Sequence, residues 1–179
     1  MKKLIFSIFL LVSVSSFAQV SIFTKYSEGK LSPCATIFGT KPISEKMNFT
    51  YFALISESWA ETQLGASYSP FNWISVGLSC GFEQNPALFR VGGSIWLGQG
   101  KTSFLTLLEK GDGPKNYWYK STISYKATDK LNLAIRAWRF NGIGPVLEYK
   151  AKDLKIWIMP AYDFEKENSN LLIGLDIKL

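Results

Sequence analysis

An alternation of apolar and polar residues with a period of two runs through most of this chain, and it constrains the fold more than any other feature. It is clearest in the last segment, where Leu171, Ile173, Leu175, Ile177 and Leu179 fall on one face and Gly174, Asp176 and Lys178 on the other. Successive side chains of a β-strand point to opposite faces, so such a segment is a strand with one apolar face and one polar face. Segments 131–138 and 154–163 show the same pattern. The sequence therefore predicts an all-β fold.

Short stretches rich in Gly, Pro, Asn and Asp separate the alternating segments, as at residues 111–114 and 141–142. Such stretches are typical of turns, and because each connection is short, consecutive strands are expected to be antiparallel neighbours. The pattern indicates ten strands between residues 47 and 179, and a weaker hairpin or extension within 19–46. We predict an up-and-down arrangement of 12 strands, with 10 strands as the alternative.

The first 18 residues follow a different pattern. Lys2 and Lys3 precede an apolar run over residues 4–14, and Ser16 and Ala18 provide the small residues of a cleavage site. This order is typical of a cleavable secretory signal peptide, and the run is shorter than the roughly 20 apolar residues of a membrane-spanning helix. We therefore predict that residues 1–18 are a signal peptide and that residues 19–179 form a single domain.

The chain contains no histidine. This excludes Ser-His-Asp catalysis and removes the commonest metal ligand. No pair of carboxylates and no Ser/Lys arrangement stands out, so we predict no catalytic residue, no metal site, no cofactor and no enzyme activity. The net charge of +6 is a mild basic excess that needs no nucleic-acid partner. An exported protein also permits a disulfide between its two cysteines, Cys34 and Cys80.

Alternation alone does not decide which face of the sheet points inward. A soluble barrel or lipocalin-like cup places the apolar face inside, whereas a membrane barrel places it outside, against lipid. About eight strands already enclose as much space as side chains can fill. An apolar interior lined by 10 or 12 strands would therefore leave a large hole, and the width favours the membrane arrangement.

Aromatic residues concentrate near the predicted strand ends. Membrane barrels carry aromatic girdles at both membrane interfaces, because an amphipathic ring suits the headgroup level. The residues that we predict to lie at the membrane interfaces are Tyr68, Trp73, Phe82, Tyr117, Tyr125, Tyr149 and Tyr162.

The C-terminal segment resembles the last strand of the outer-membrane β-barrel proteins of Gram-negative bacteria. That strand has a glycine, an apolar residue three positions later and a final aromatic or apolar residue, which Gly174, Ile177 and Leu179 match. Ile173 replaces the usual polar residue. The resemblance implies a small transmembrane β-barrel in the outer membrane, with outer-membrane lipids and the barrel-insertion machinery, which reads the last strand, as partners. A periplasmic location is the alternative for a soluble cup, and the oligomeric state stays open.

In a membrane barrel the polar face lines the lumen. The charged residues that we predict to form a network there are Glu61, Arg90, Lys120, Arg136, Glu148, Lys155 and Asp176. Lys150, Asp163 and Lys178 fall on the same face. Opposite charges are expected to pair, because an isolated charge in partly desolvated space is costly.

Such a barrel has either a structural role or a narrow pore for small solutes, in which an excess of Arg and Lys would favour small anions. Two other functions stay open. One is the binding of a small apolar ligand by a soluble cup. The other is a surface interaction through aromatic residues near the external rim, namely Trp59, Trp118 and Trp138.

Overall fold

The computed structural model describes residues 17–84 and 88–179. The predicted signal peptide lies outside the described residues except for Phe17 and Ala18, which begin the first strand. No helix in the described part is long and apolar enough to cross a membrane. The described strands are β1 (Phe17–Ser27), β2 (Lys30–Pro42), β3 (Met47–Ser56), β4 (Ala60–Phe71), β5 (Ile74–Glu83), β6 (Phe89–Gln99), β7 (Thr102–Gly111), β8 (Tyr117–Lys126), β9 (Leu131–Trp138), β10 (Gly142–Ala151), β11 (Leu154–Asp163) and β12 (Asn168–Lys178).

Each strand pairs with the next one along the chain, and β1 pairs with β12, so the sheet closes into a barrel. All of these pairings are antiparallel, and the closing one runs from Gln19 opposite Lys178 to Tyr26 opposite Leu171. The prediction of a 12-strand up-and-down barrel is confirmed, and the alternative of 10 strands is wrong. Closure leaves no unpaired strand edge, which a membrane-spanning sheet requires.

The segment 19–46, predicted as a weaker hairpin, forms full wall strands: β1 has 11 residues and β2 has 13. Its alternation is less regular because apolar residues occupy part of its inner face. The register places Phe23 opposite Cys34, and Gln19 opposite Phe38. Since Gln19 pairs with the inward-facing Lys178, this set of side chains faces the lumen.

The even number of strands brings the start of β1 and the end of β12 to the same end of the barrel, called here the terminal end. The opposite end is called the far end. The turns β2–β3, β4–β5, β6–β7, β8–β9 and β10–β11 lie at the terminal end, and the other turns lie at the far end. None of these connections is long, so the barrel carries no large loop domain within its described residues.

The outer face of the barrel is apolar and exposed. Leu78 is 78% exposed, and Ile55 and Ile135 are both 63% exposed. Contact of such a surface with lipid tails is favourable, whereas its contact with water is unfavourable. The outward position of these residues favours the membrane arrangement over a soluble cup.

The inner face differs from the uniformly polar lumen that alternation suggested. Met159 and Leu172 face each other across β11 and β12, and both are fully buried. They belong to a buried cluster with Ala134, Trp138, Val146, Trp157 and Ala161. These residues alternate in phase with Lys155 and Asp176, so they point inward. One side of the lumen, from β9 to β12, is thus packed with apolar side chains.

Candidate functional site

A group of ion pairs, called here the Arg90 cluster, closes part of the lumen at the far end. The Arg90 guanidinium lies 2.6 Å from Glu83, 2.8 Å from Glu109 and 3.3 Å from Glu61. Its Nη1 also donates a hydrogen bond to Asn116 Oδ1 at 3.0 Å. Arg90, Glu61 and Glu83 are almost completely buried. The cluster joins four consecutive strands, β4 to β7.

The strand register explains how these side chains meet. Glu61 is directly opposite Glu83 in the pairing of β4 with β5, and Arg90 is opposite Gly111 in the pairing of β6 with β7. A Cβ atom at position 111 would lie 2.3 Å from the Asn116 amide and 2.7 Å from a Glu83 carboxylate oxygen. A glycine at this position is therefore needed for the cluster to assemble.

Three carboxylates surround one guanidinium, so the Arg90 cluster contains a formal excess of negative charge. Neutral donors offset part of it. Trp59 Nε1 donates to Glu61 at 3.1 Å, and the Asn116 amide donates to Glu83 at 2.5 Å. The sequence predicted Glu61 and Arg90 as lumen residues but did not identify Glu83 or Glu109. The alternation of the strands could have revealed their inward position. Glu83, for example, is two positions after the inward-facing Gly81.

A second group, called here the Arg136 cluster, lies on the opposite side of the lumen. Arg136 pairs with Glu148 at 3.2 Å, and Lys155 pairs with Asp176 at 2.9 Å. Lys155 also lies 3.8 Å from Glu148, which links the two pairs. Trp157 Nε1 donates to Asp176 at 3.1 Å, and Asn132 donates to Glu148 at 2.8 Å. These hydrogen bonds satisfy the remaining carboxylate oxygens, as buried charges require.

Six of the seven predicted network residues therefore divide between two clusters rather than forming one network. Lys120, the remaining residue, belongs to neither cluster. Its ammonium lies 4.4 Å from the centre of the Trp138 ring, which is a cation–π contact, and it forms no ion pair within the described part of the chain. The Arg136 guanidinium lies 5.2 Å from the Trp157 ring and 5.9 Å from the Trp138 ring. Cations and indole rings thus share the middle of the lumen.

Aromatic side chains cross the lumen at this level. Phe23 on β1 lies 5.1 Å from Trp138 on β9 and 5.9 Å from Trp157 on β11. Trp118 on β8 approaches Trp138 edge-on at 6.4 Å. Because β10, β11 and β12 separate β1 from β9, the Phe23–Trp138 contact bridges the interior. We call Phe23, Trp118, Trp138 and Trp157 the aromatic plug.

The opposite wall of the lumen carries small side chains. Its inward-facing positions include Gly65, Gly77, Ser79, Gly92 and Ser94 on β4, β5 and β6. Trp96, which pairs with the inward-facing Ser75, adds a large aromatic side chain to this wall near its terminal end. The Arg90 cluster stands at its far end.

The seven predicted interface aromatics are between 41% and 61% exposed. The six that lie on strands point outward, whereas Trp73 lies in the β4–β5 turn and stacks on Phe71. Four of them lie near the terminal end, namely Tyr68, Trp73, Tyr125 and Tyr149. The other three, Phe82, Tyr117 and Tyr162, lie near the far end. Sequence reasoning missed Arg139, whose guanidinium stacks on the Tyr117 ring at 3.4 Å and on the Phe140 ring at 4.4 Å.

The three tryptophans considered for an external surface are engaged inside the barrel. Trp59 donates its indole hydrogen to the Arg90 cluster, while Trp118 and Trp138 belong to the aromatic plug. The two cysteines do not form a disulfide, because Cys34 lies on the lumen face of β2 and Cys80 lies on the exposed outer face of β5. No group of three His, Cys, Asp or Glu side chains among the described residues is arranged to hold a metal ion.

No family model matches the chain, and no curated protein matches it in sequence. Solved structures do match its fold. The KdgM porin in complex with disordered oligogalacturonate has a TM-score of 0.63 at 11% identity, covering 89% of this chain and 98% of that one. Acinetobacter baumannii outer membrane protein Omp33 has a TM-score of 0.59 at 9% identity, covering 93% and 99%.

A Salmonella typhi outer membrane phospholipase, solved as a dimer with bound calcium, has a TM-score of 0.56 at 11% identity, covering 89% and 90% of the two chains. Porins and an enzyme thus share this architecture, so the likeness shows the fold and not the activity. The chain has the fold of outer-membrane β-barrel proteins. Together with the apolar outer face, this fold supports a location in the outer membrane and contact with its lipids.

Proposed function

We propose that the protein is a narrow pore for small solutes, restricted by the aromatic plug. The observation that carries this proposal is the division of the lumen. Apolar and aromatic side chains pack beside the Arg136 cluster on its β9–β12 side. Glycines and serines occupy most inward positions of its β4–β6 side, apart from the Arg90 cluster and Trp96. A barrel of 12 strands is wider than the eight-strand size that side chains alone can fill, so space remains for water and small ions beside the plug.

The inner face does not favour one sign of charge as strongly as the sequence suggested. The expected excess of Arg and Lys is offset by Glu83 and Glu109, which join the lumen through the Arg90 cluster. In the Arg136 cluster two cations pair with two carboxylates, and the Lys120 ammonium adds one positive charge beside it. We therefore assign the passage a limit on solute size and no strong charge preference at this level.

The test is single-channel conductance in planar bilayers, combined with the swelling of liposomes in sugars of increasing size. The wild-type protein should give a small conductance and admit only the smallest solutes. Replacing Trp138 and Trp157 by alanine together removes much of the plug, so the conductance and the size limit should both rise. Trp73→Ala is the matched control, because this indole stacks on Phe71 in the β4–β5 turn and does not contact the plug.

A structural role is the second candidate, and the Arg90 cluster supports it by joining four strands with buried charges. If neither the wild-type protein nor the plug variant conducts, while both keep the heat-modifiable gel mobility of a folded barrel, the pore proposal is wrong and the structural role stands.

We further propose that the protein has no catalytic activity, on the ground that the chain lacks histidine. Because the fold also occurs in an outer membrane phospholipase, the relevant assay is hydrolysis of phospholipid vesicles by the purified protein. Fatty acid release that scales with protein concentration and disappears on unfolding would overturn this part of the proposal.

The barrel-insertion machinery is the proposed partner during assembly, acting through β12. The support is the match of Gly174, Ile177 and Leu179 to the last-strand pattern. Crosslinking a photoreactive residue at position 177 to the insertion machinery during assembly in cells tests this. Capture of the machinery is expected, and its absence from all crosslinked products would contradict the proposal.

A further inference from the structure

A cavity of about 280 Å³ opens at the terminal end of the lumen. Four of its lining residues are lysines: Lys126, Lys130, Lys150 and Lys155. They come from β8, from the turn that follows it, from β10 and from β11, so the cavity lies between the ends of neighbouring strands. We call this cavity the basic vestibule.

The strand register concentrates positive charge at the vestibule. Lys150 is directly opposite Lys155 in the pairing of β10 with β11, and both alternate in phase with the inward-facing Glu148 and Trp157. Like charges directly opposite one another destabilise an antiparallel pair. The Lys130 carbonyl accepts a hydrogen bond from the Lys150 backbone N–H at 2.8 Å, so a third lysine adjoins this pair. Asp176 and Glu148 already offset the charge of Lys155, so a bound anion would offset the charges of Lys130 and Lys150.

Carboxylates neutralise two of the four lysines, Lys126 and Lys155, and two carboxylates, Asp129 and Glu148, line the cavity with them. Asp129 pairs with Lys126 at 2.7 Å, and this hydrogen bond and charge hold the pKa of Asp129 below its usual range. Lys155 pairs with Asp176, and Glu148 already serves Arg136 and Asn132. Lys130 and Lys150 have no carboxylate partner within the described ranges 17–84 and 88–179.

The surroundings of the vestibule add to the positive potential. Further lysines stand in the terminal-end turns or in the adjoining strand ends, namely Lys41, Lys46, Lys101, Lys152 and Lys178. The acidic residues at comparable positions in the described chain are Glu45, Asp129, Asp153 and Asp176. A concave site surrounded by one sign of charge raises the local concentration of counter-ions. The far end has the opposite character, because the Arg90 cluster carries surplus carboxylates.

We propose that the basic vestibule binds a small multivalent anion bearing phosphate or carboxylate groups. The Lys130 and Lys150 ammonium groups hold the anion, and the Asn132 amide lines the same cavity. Because Lys150 points into the lumen, the ligand comes from solution and not from the bilayer. The site deepens the proposed pore and rests on it for its biological use, since a bound anion at the mouth would select what enters the lumen.

The experiment is isothermal titration of inorganic phosphate into the purified full chain in zwitterionic detergent. The wild-type protein should bind phosphate saturably. The double variant Lys130→Gln, Lys150→Gln should bind about tenfold more weakly or worse, since it loses two charge-assisted hydrogen bonds. The matched control is Lys101→Gln, Lys152→Gln, which removes the same charge from terminal-end turns without touching the vestibule. The control should keep the wild-type affinity within about twofold.

Loss of phosphate binding in the vestibule variant alone supports the site. The proposal is overturned if the wild-type protein binds no phosphate, if the vestibule variant binds as well as wild type, or if both variants lose affinity equally. A shift of gel mobility on heating shows that each variant is folded. Phosphate binding without conductance would contradict the pore proposal and support the anion site. Conductance without phosphate binding would contradict the anion site and support the pore proposal.

Discussion

Arg90 is the residue on which the far end of the barrel most depends. Its guanidinium lies among the carboxylates of Glu61, Glu83 and Glu109. Breaking a buried ion pair by removing one partner is costly, because the other charge stays buried without compensation. Here three carboxylates would lose their shared partner at once.

Arg90→Met should therefore lower the free energy of unfolding by about 3–5 kcal/mol. Glu61→Gln is the comparison, because Arg90 keeps Glu83 and Glu109 in that variant and the surplus negative charge falls. Urea unfolding in lipid vesicles, followed by tryptophan fluorescence, measures both. A loss for Arg90→Met below about 1 kcal/mol, or an equal loss for the two variants, would show that the cluster contributes little to stability.

At the scale of the element, Gly174 of β12 meets two separate requirements. Gly174 belongs to the last-strand pattern, but it also lies under the Trp157 ring of β11. A Cβ atom at Gly174 would come within 2.3 Å of ring atoms of Trp157. The glycine thus has a packing reason that the sequence pattern did not reveal, because the aromatic partner lies on another strand.

Gly174→Val should displace Trp157 and lower the free energy of unfolding by about 1–3 kcal/mol through overpacking. Gly93→Val in β6 is the matched control, since its nearest neighbours would be 3.8 and 3.9 Å away, an ordinary contact. Refolding into vesicles without any assembly factor is the measurement. If Gly174→Val refolds as stably as wild type there and fails only in cells, recognition by the insertion machinery and not packing explains the glycine.

For the whole molecule, the outward apolar face predicts that lipid surrounds the middle of the barrel. Leu78 is 78% exposed in the middle of β5, and Ile43 is 62% exposed in the turn after β2. In water, a charged residue would cost about the same free energy at either position. In a bilayer the two positions would differ, because the cost of a charged residue is greatest near the membrane midplane.

Leu78→Arg should accordingly lower the free energy of unfolding in vesicles by about 2–4 kcal/mol, and Ile43→Arg by about 0–1 kcal/mol. The same denaturant titration in lipid measures the difference. Equal effects of the two substitutions would mean that Leu78 does not contact lipid, and the transmembrane arrangement would then be wrong.

Cell fractionation tests the location independently. The native protein should sediment with the outer membrane and should migrate differently on a semi-native gel before and after boiling, because a closed barrel resists detergent until it is heated. Recovery in the soluble periplasmic fraction with a single mobility would instead point to a cup with a bound apolar ligand.

The sequence by itself determined those features that depend on neighbouring residues. A period of two defines a strand and its two faces, and short turns define which strands are adjacent, so the 12 antiparallel strands were predictable. The outward-pointing aromatics and the inward phase of Arg90 and Arg136 follow from the same alternation. Even the inward position of Trp157 was readable, because it lies two residues from Lys155.

Only the tertiary structure decided which inward side chains meet. The cross-strand register sets Glu83 and Glu109 beside Arg90, and the closure of β1 on β12 brings Phe23 across the interior to Trp138. Register and closure depend on pairing between distant segments, and alternation is the same for any register shifted by two residues. For that reason the sequence showed a two-faced sheet, whereas the division of its lumen into a plugged side and a small-residue side belongs to the folded barrel.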